Sequence, residues 1–496
     1  MSGVNLILPQ NTPKTIKGPL AGDKPVYVYL SPKNDFLVYS ENLKKLLSHP
    51  KVKTPLEVSD EGISFLLQSG FIPTPKTVFK NFFVLNIGDE VVIEFKNNKF
   101  ELLFSHSYPF FHSFRDPNLK PDIKIIFELL INSIQKRIKS LTPIYLFHSA
   151  GKDSNVIALT LSFSDLKPIV TCLTLKGYNE KDESEIAKNL AQKMGLKHKI
   201  LYLPQRISSE HIELLINYFK NIVLPCVDGV SLAYPFYTLE VDFKNSNIID
   251  GSGSDIYMGH VPRKIEYFRQ KIYSCFRFLR PLSDQLSTEN PFQKITLTRC
   301  ERVGAYGLTY KDTKKIYPKA LWVFPYWKKE DSKRKDWDYF DIKGDIWGPN
   351  IEFDRVMRKV RNFAEVYSCN LIFPWTDKEI ATYFAKLPER YLFDRKTFKN
   401  KLILRKILKD FLDVDCDKIG KFSYPFDAFG LLMKMEDHVK DEIFSCKLWN
   451  RKEIEKLYKS FLEKINKDKK YRRLKSLIIR LYLISAWFNH SKFVLR

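Results

Sequence analysis

The chain has 496 residues, enough for two or three domains, and its hydrophobic content of 44% is ordinary for a globular protein. Its seven cysteines are scattered without a Cys-x-x-Cys pair, which argues against a disulfide framework and a zinc site. No apolar leader and no apolar run of roughly 20 residues is visible, so we expect a cytoplasmic protein without a transmembrane span. The net charge of +24 is compatible with a nucleic acid, an anionic membrane surface or an acidic substrate, and equally with a lysine-rich composition.

Residues 1–115 have the pattern of strands and hairpins. Apolar and polar residues alternate in three segments, and turn residues separate them: 26–30, 82–85 and 91–95. The pattern predicts a small β-rich domain over residues 1–118.

Beyond this point helical and strand patterns alternate. A helical period covers 123–140, with apolar residues at Ile126, Leu129 and Ile134. The segment Asp182-Glu183-Ser184-Glu185 predicts a capping box. Strands alternating with helices predict the α/β class, with a parallel sheet, helices on both faces and right-handed crossovers. The predicted elements are strand 144–147, helix 152–163, strand 169–174, helix 183–195 and strand 199–203.

The rest of the chain forms the end of a second predicted domain, 119–496. Residues 260–350 are aromatic and basic with weak periodicity, which indicates an insertion or a lid. Residues 350–496 have mainly helical patterns.

A loop of small residues follows the first strand of the predicted sheet. Its sequence is Ser149-Ala150-Gly151-Lys152-Asp153-Ser154. Short side chains let backbone N–H groups approach an anion, and the following helix adds positive charge at its N-terminus. Asp153 could hold a magnesium ion against the same anion. The alternative is an ordinary turn, because short motifs carry false positives.

A second loop of this kind follows the strand at Ile248 and Ile249. It is Asp250-Gly251-Ser252-Gly253-Ser254-Asp255, where the glycines permit tight backbone geometry. Asp255 could give a second oxygen ligand to the same metal ion. On its own, a Gly-x-Gly-x-Asp turn is more often a structural loop than a metal site.

Together these segments resemble the synthetase half of the asparagine synthetase family, which includes β-lactam synthetase and lasso-peptide cyclases. The first loop is similar to the Ser-Gly-Gly-x-Asp-Ser pyrophosphate loop of ATP pyrophosphatases, with Ala150 in place of the first glycine. Further segments follow in the order and spacing of the family: Leu173-Thr174 with Asp182–Glu185, Leu224-Pro225 with Asp228, the second loop, Phe373–Asp377, Leu387-Pro388 and Lys401–Arg405.

The resemblance implies a fold like that of adenine-nucleotide α-hydrolases and an enzyme that uses ATP and Mg²⁺. It implies that Asp153 and Asp255 hold the metal and that Leu173 lies near the adenine. The nucleotide-binding residues that it implies are Ser149, Ala150, Gly151, Lys152, Asp153, Ser154, Leu173 and Gly251.

The family also has a late-loop lysine that stabilises transition-state charge, and Asp417–Phe422 resembles that loop. The register leaves Lys421 and Lys418 as alternatives for the catalytic lysine.

The chain departs from the family at several positions. Glutamine-dependent members carry a catalytic cysteine directly after the first methionine, where this chain has Ser2. We therefore expect the β-rich domain to be a truncated, degenerate glutaminase-like domain without glutaminase activity. Ser252 and Ile256 also differ from the asparagine-forming enzymes, so no general base is identified. His148 and Tyr257 are candidates.

The resemblance implies an AMP-forming carbon–nitrogen ligase that adenylates a carboxylate and forms an amide bond. The expected substrates are a small molecule or peptide with a free carboxylate and an amine or ammonia, with a possible partner protein supplying substrate or ammonia. We expect glutamine-independent ligation or cyclisation in peptide or natural-product biosynthesis. Alternatives are amidation of a sugar carboxylate in surface-polysaccharide biosynthesis and, from another class, a tRNA-modifying pyrophosphate-loop enzyme, although nucleic acid is not favoured.

Overall fold

The computed structural model describes residues 3–8, 14–139, 143–177, 183–419, 426–468 and 471–496. Its strands are β1 (Asn5–Ile7), β2 (Lys14–Lys17), β3 (Val26–Leu30), β4 (Leu37–Ser40), β5 (Phe82–Leu85), β6 (Asp89–Lys96), β7 (Lys99–His106), β8 (Ile144–Phe147), β9 (Val170–Lys176), β10 (Lys197–Tyr202), β11 (Asn247–Asp250), β12 (Asn370–Ile372), β13 (Phe393–Asp394) and β14 (Lys399–Asn400).

Helices are more extensive than strands in the described chain. The α-helices are α1 (Leu43–Leu47), α2 (Asp60–Gln68), α3 (Ile123–Gln135), α4 (Lys152–Ser162), α5 (Ser184–Lys193), α6 (Ser209–Lys220), α7 (Tyr234–Tyr237), α8 (Asp255–Met258), α9 (Lys264–Tyr273), α10 (Arg280–Ser283), α11 (Gln293–Thr296), α12 (Tyr310–Ile316), α13 (Phe324–Lys333), α14 (Tyr339–Ile346), α15 (Arg358–Val366), α16 (Lys378–Lys386), α17 (Glu389–Leu392), α18 (Leu402–Leu412), α19 (Ala428–Met433), α20 (Glu436–Ser445), α21 (Arg451–Lys467) and α22 (Arg472–His490). Short 3₁₀ turns cover His112–Phe114, Gly229–Leu232, Ser274–Leu279, Glu301–Val303 and Pro374–Thr376, and a π-helix covers Trp347–Met357.

A five-stranded parallel sheet lies at the centre of the molecule, in the order β10-β9-β8-β11-β12. Successive residues of its strands enter two different apolar clusters: Ile144 and Leu146 pack in one, and Tyr145 and Phe147 pack against the other. Both faces of the sheet are therefore covered, as a parallel sheet requires. This confirms the predicted α/β class, with a β-rich N-terminal region and a helical C-terminal part.

The register of the sheet places the ends of two strands side by side. Asp250 at the end of β11 pairs with Phe147 at the end of β8. The two loops that follow these strands therefore emerge next to each other at the carboxyl edge, where ligands of such sheets bind.

The N-terminal region contains two antiparallel sheets, in the orders β1-β4-β3-β5 and β2-β6-β7. One apolar cluster continues from this region into the C-terminal helices, since it includes Phe65, Phe79 and Trp487. The boundary at residues 118 and 119 stays a prediction, because the two regions share this core.

Residues 260–350, interpreted from the sequence as an insertion or a lid, contain a series of short helices. Trp327 on α13 packs edge-on against Phe65 and Phe71 of the N-terminal region. The His106 side chain of β7 lies within 2.9 Å of Asp89 and 2.8 Å of Asp345. This segment therefore joins the β-rich region to the rest of the protein, and its role as a lid stays a prediction.

Candidate active site

The loop after β8 is held in shape by its own side chains. The Gly151 N–H donates to Ser149 Oγ at 3.1 Å, and Asn155 Nδ2 donates to the carbonyls of Ser149 at 2.8 Å and Gly151 at 2.7 Å. Helix α4 starts at Lys152, so its N-terminal N–H groups lie beside this loop. The arrangement is suited to an anion.

The loop after β11 packs directly on the first one. A Cβ atom on Gly251 would lie 3.1 Å from the Ser154 backbone nitrogen, so a glycine permits this close approach. Gly253 has φ +106°, and a Cβ atom there would lie 2.5 Å from Thr376 Cγ2. Both glycines are thus required by the geometry of the loop.

Asp153 and Asp255 converge on one point between the two loops. The Lys401 Nζ atom lies 2.8 Å from Asp153 Oδ1 and 2.8 Å from Asp255 Oδ1. Ser254 Oγ also donates to Asp153 Oδ1, at 2.5 Å. The sequence predicts the two aspartates as partners, and the structure brings them together.

Lys401 is a buried ammonium whose charge is matched by these carboxylates. Its backbone is left-handed, with φ +54°, at the N-cap of α18. Burial favours the neutral amine, but Asp153 and Asp255 hold the pKa of Lys401 above its usual value. Burial raises the pKa of Asp255, but Lys401 and then His260 hold it well below its usual range. The site therefore pairs one ammonium with two carboxylates.

A further carboxylate, Glu352, lies beside the second loop on the π-helix. The Gly253 N–H donates to Glu352 Oε1 at 2.8 Å, and Trp347 Nε1 donates to Oε2 at 3.3 Å. Burial and then the charge of Asp255 raise the pKa of Glu352 to about 7. This carboxylate is poised to exchange a proton near neutral pH.

The Trp347 ring stacks on the His260 ring, with centroids 3.6 Å apart. The His260 Nδ1 atom lies 3.8 Å from Asp255 Oδ2. Lys359, which also lines the cavity, pairs with Asp228 at 2.9 Å. Trp347 and Lys359 come from elements far from the two loops along the chain, whereas His260 follows the second loop closely.

The loops and these side chains enclose a cavity of about 520 Å³. We call residues 149–154 and 250–255 the loop wall, and Glu352, Lys359 and Lys401 the helix wall. The predicted site residues that line the cavity are Ser149, Gly151, Asp153, Ser154, Leu173, Gly251 and Asp255.

Other predicted residues have different surroundings. The Ala150 N–H donates to the buried Glu183 carboxylate at 3.1 Å, and Lys152 is a buried residue in the first turn of α4. Lys418 is 86% exposed beside Asp415, 4.0 Å away, and is not among the cavity-lining residues. Lys421 and Ser2 lie outside the described residues.

The first residue of the capping box predicted for α5, Asp182, lies outside the described residues. Helix α5 starts at Ser184 with Glu183 as its N-cap. Glu183 makes no side-chain capping bond, because its carboxylate accepts the N–H of Ala150 instead. The acidic segment that indicates a helix start thus also supports the first loop.

The two candidate bases differ in their access to the cavity. His148 lines it, but burial lowers the pKa of this imidazole to about 4, and its Nε2 atom lies 3.0 Å from Asn155 Oδ1. Tyr257 is buried, is not among the lining residues, and donates its hydroxyl to the Trp375 carbonyl at 2.7 Å.

The sequence reasoning missed the roles of Glu352, Lys359 and Lys401. Lys401 is the first residue of a segment that resembles the family, and this resemblance could have indicated that the lysine belongs to the site. Glu352 lies in a π-helix about a hundred residues after the second loop, so no local pattern connects the two.

A family model described as asparagine synthase matches residues 126–488. The chain belongs to the asparagine synthase family. A similar protein is found in Methanocaldococcus jannaschii, whose name designates it a candidate glutamine-hydrolyzing asparagine synthetase. It is 23% identical over 281 residues, which cover 55% of this chain and 52% of the relative. The chain thus spans about half the length of this curated relative. The family indicates an enzyme of the ligase type.

Among the described residues, no helix has both the length and the apolar character to cross a bilayer.

Proposed function

We propose that this protein forms an amide bond with ATP, by adenylating a substrate carboxylate and releasing pyrophosphate and then AMP. The observation that carries this proposal is the convergence of Asp153 and Asp255 between two strand-end loops, in a chain of the asparagine synthase family. The loop wall places the N-terminus of α4 at the cavity, and a helix N-terminus is suited to phosphates.

The two aspartates fit a magnesium ion. Their Oδ1 atoms approach the same Nζ atom at 2.8 Å, so they can share one cation, and carboxylate oxygens are ligands that Mg²⁺ prefers. No group of three or more His, Cys, Asp or Glu side chains suited to a metal occurs among the described residues, so substrate phosphates and water would complete the shell. When bound, the ion would neutralise phosphate charge.

The chain's own residues supply the remaining parts of the site. The Lys401 ammonium lies where the two carboxylates converge, next to the loop that faces the phosphates, and is suited to a developing negative charge. Lys421 and Lys418 stay alternatives for a second cation of this kind. Leu173 contributes its buried side chain and backbone to the cavity beside the first loop, where an adenine would bind.

We assign proton transfer from the attacking nitrogen to Glu352. Its pKa of about 7 makes a substantial fraction of this carboxylate basic at neutral pH, whereas His148, with a pKa of about 4, is a weak base. Glu352 lines the same cavity as Asp153 and Asp255, so one cavity holds both the activating and the proton-accepting groups.

We further propose that the nitrogen comes from an amine substrate rather than from glutamine, as in ligation or cyclisation of a peptide or natural product. Residues 1–118 contain no cysteine, so this β-rich region has no thiol of its own for glutamine hydrolysis. Amidation of a sugar carboxylate with ammonia from a partner protein is the alternative within this class.

The test is pyrophosphate release from ATP and Mg²⁺ across a panel of carboxylic acids, each with amines, ammonia or glutamine. We expect release to depend on one acid and to yield an amide with an amine. Asp153→Asn should abolish release, whereas the matched variant Asp336→Asn, at a side chain 84% exposed, should leave it unchanged. Equal rates in Asp153→Asn and wild type would refute the site, and activity with glutamine alone would refute glutamine independence.

A further inference from the structure

Large apolar side chains are exposed in one short segment beside the candidate active site. Among the described residues, 21 large hydrophobic side chains are exposed, and seven of them fall within residues 265–286. Phe278 is 71% exposed, Leu282 64% and Ile272 61%. The seven are Ile265, Phe268, Ile272, Phe276, Phe278, Leu282 and Leu286. Such a concentration marks an interaction site, since single exposed apolar residues are ordinary but clusters are not.

Cationic side chains accompany these apolar ones. Arg263, Lys264, Arg269 and Lys271 are exposed in the same segment. Burial and then the charges of Arg473 and Arg269 lower the pKa of Lys294, so positive charge continues onto neighbouring elements. We call the exposed apolar and basic side chains of residues 263–286 the 263–286 face.

The carboxylates of this segment do not offset that charge, because both are engaged within the protein. Glu266 accepts from Lys343 Nζ at 2.6 Å, and Asp284 pairs with Arg280 at 2.9 Å and accepts from Trp322 Nε1 at 2.7 Å. On the neighbouring α13, Asp331 is buried between Arg277 and Arg299. The 263–286 face is therefore apolar and positively charged.

This combination is typical of segments that lie in the interface of an anionic bilayer, where apolar side chains enter the acyl boundary and Lys and Arg contact lipid phosphates. Two copies of the face would bring like charges together, which disfavours a twofold dimer. Four of the seven exposed apolar side chains are aliphatic and cannot stack on bases, which favours a bilayer over single-stranded nucleic acid.

We propose that the 263–286 face binds the surface of membranes that contain anionic lipids and holds the protein there. The face follows directly on the chain that carries Asp255 and His260, so bound protein would keep its active site close to the bilayer. The proposal does not depend on which reaction that site performs.

The experiment is flotation of the full chain with phosphatidylcholine vesicles, with and without phosphatidylglycerol, at low and high salt. Wild type should float with the anionic vesicles and less so at high salt. Phe268→Gln/Phe278→Gln removes two apolar contacts with the bilayer. It should therefore weaken vesicle binding at least tenfold, which corresponds to a loss of about 1.4 kcal/mol or more in binding free energy. The matched control is Phe114→Gln/Phe163→Gln, at side chains 62% and 65% exposed.

A second pair tests the charge. Arg269→Gln/Lys271→Gln should weaken binding by about fivefold for each cation, whereas Lys14→Gln/Lys99→Gln, at exposed positions of β2 and β7, should not. Failure of wild type to float with anionic vesicles would overturn the proposal. So would equal binding by the face variants and their controls, or light scattering that shows a wild-type dimer and a monomeric Phe268→Gln/Phe278→Gln variant. Loss of RNA binding without loss of vesicle binding in these variants would assign the face to nucleic acid instead.

Discussion

The loop wall of the cavity comes from two short stretches of chain, each at the end of a strand. The helix wall comes from Glu352 and Lys359, on a π-helix and the α-helix that continues it, and from Lys401 at the start of α18. The parallel pairing of β8 with β11 is sufficient to place Asp153 near Asp255. Glu352 reaches the same cavity only through a π-helix, and Lys401 only through a left-handed residue before α18. The proposed phosphate site is thus local in sequence, while the groups proposed to act on the substrate are not.

The largest effect is expected when Lys401 is replaced, because this lysine of the helix wall contacts both aspartates of the loop wall. Lys401→Met leaves the partly buried Asp153 and Asp255 without their cation. This loss should lower the free energy of unfolding by about 3–5 kcal/mol and abolish pyrophosphate release. Because Mg²⁺ can replace the missing charge, its addition should restore part of the stability, measured by urea denaturation.

The control is Lys418→Met, at an exposed lysine, which should unfold like wild type. Should Lys401→Met be as stable as wild type without Mg²⁺, the ammonium would not be what holds the carboxylates together.

The next effect concerns Glu352. Glu352→Gln should lower turnover by roughly 10²–10⁴-fold, because general-base catalysis contributes about that much. In wild type, turnover should rise with pH through about 7, because the carboxylate must lose its proton before it can accept one from the amine. This limb of the pH profile should be absent in Glu352→Gln.

Glu379→Gln, at a side chain 64% exposed, is the control for that variant. An unchanged pH profile in Glu352→Gln would assign the base to another group.

A smaller effect is expected in the loop wall itself. Gly253→Ala places a Cβ atom 2.5 Å from Thr376 Cγ2 at φ +106°, so it should lower the free energy of unfolding by about 1–3 kcal/mol. Gly3→Ala, which meets nothing within 4 Å, should have no effect in the same urea titration. Equal stability of the two variants would mean that the second loop relaxes freely.

The smallest predicted effect tests whether Tyr257, rather than Glu352, takes part in the reaction. Tyr257→Phe removes the hydrogen bond to the Trp375 carbonyl, so stability should fall by about 1 kcal/mol while the pH profile of turnover stays that of wild type. A loss of turnover that exceeds the loss of folded protein would place this hydroxyl in the reaction.

Much of the fold could be predicted from local pattern. The strand at 144–147 matches β8, and the helix predicted at 152–163 matches α4 to within one residue, because a buried strand and a following helix have distinct periods. The structure of residues 260–350 was harder to predict, because their apolar residues have two kinds of surroundings. Trp327 packs on the β-rich region, while Phe278 is exposed. No single period describes both.

The amino-acid sequence by itself determined the two loops, since Gly251, Gly253 and the aspartates follow their strands directly and parallel strands end at one edge. Only the tertiary structure decided that Lys401 and Glu352 join them. Their positions depend on packing between elements far apart in the chain, and the raised pKa of Glu352 depends on burial that no local pattern records.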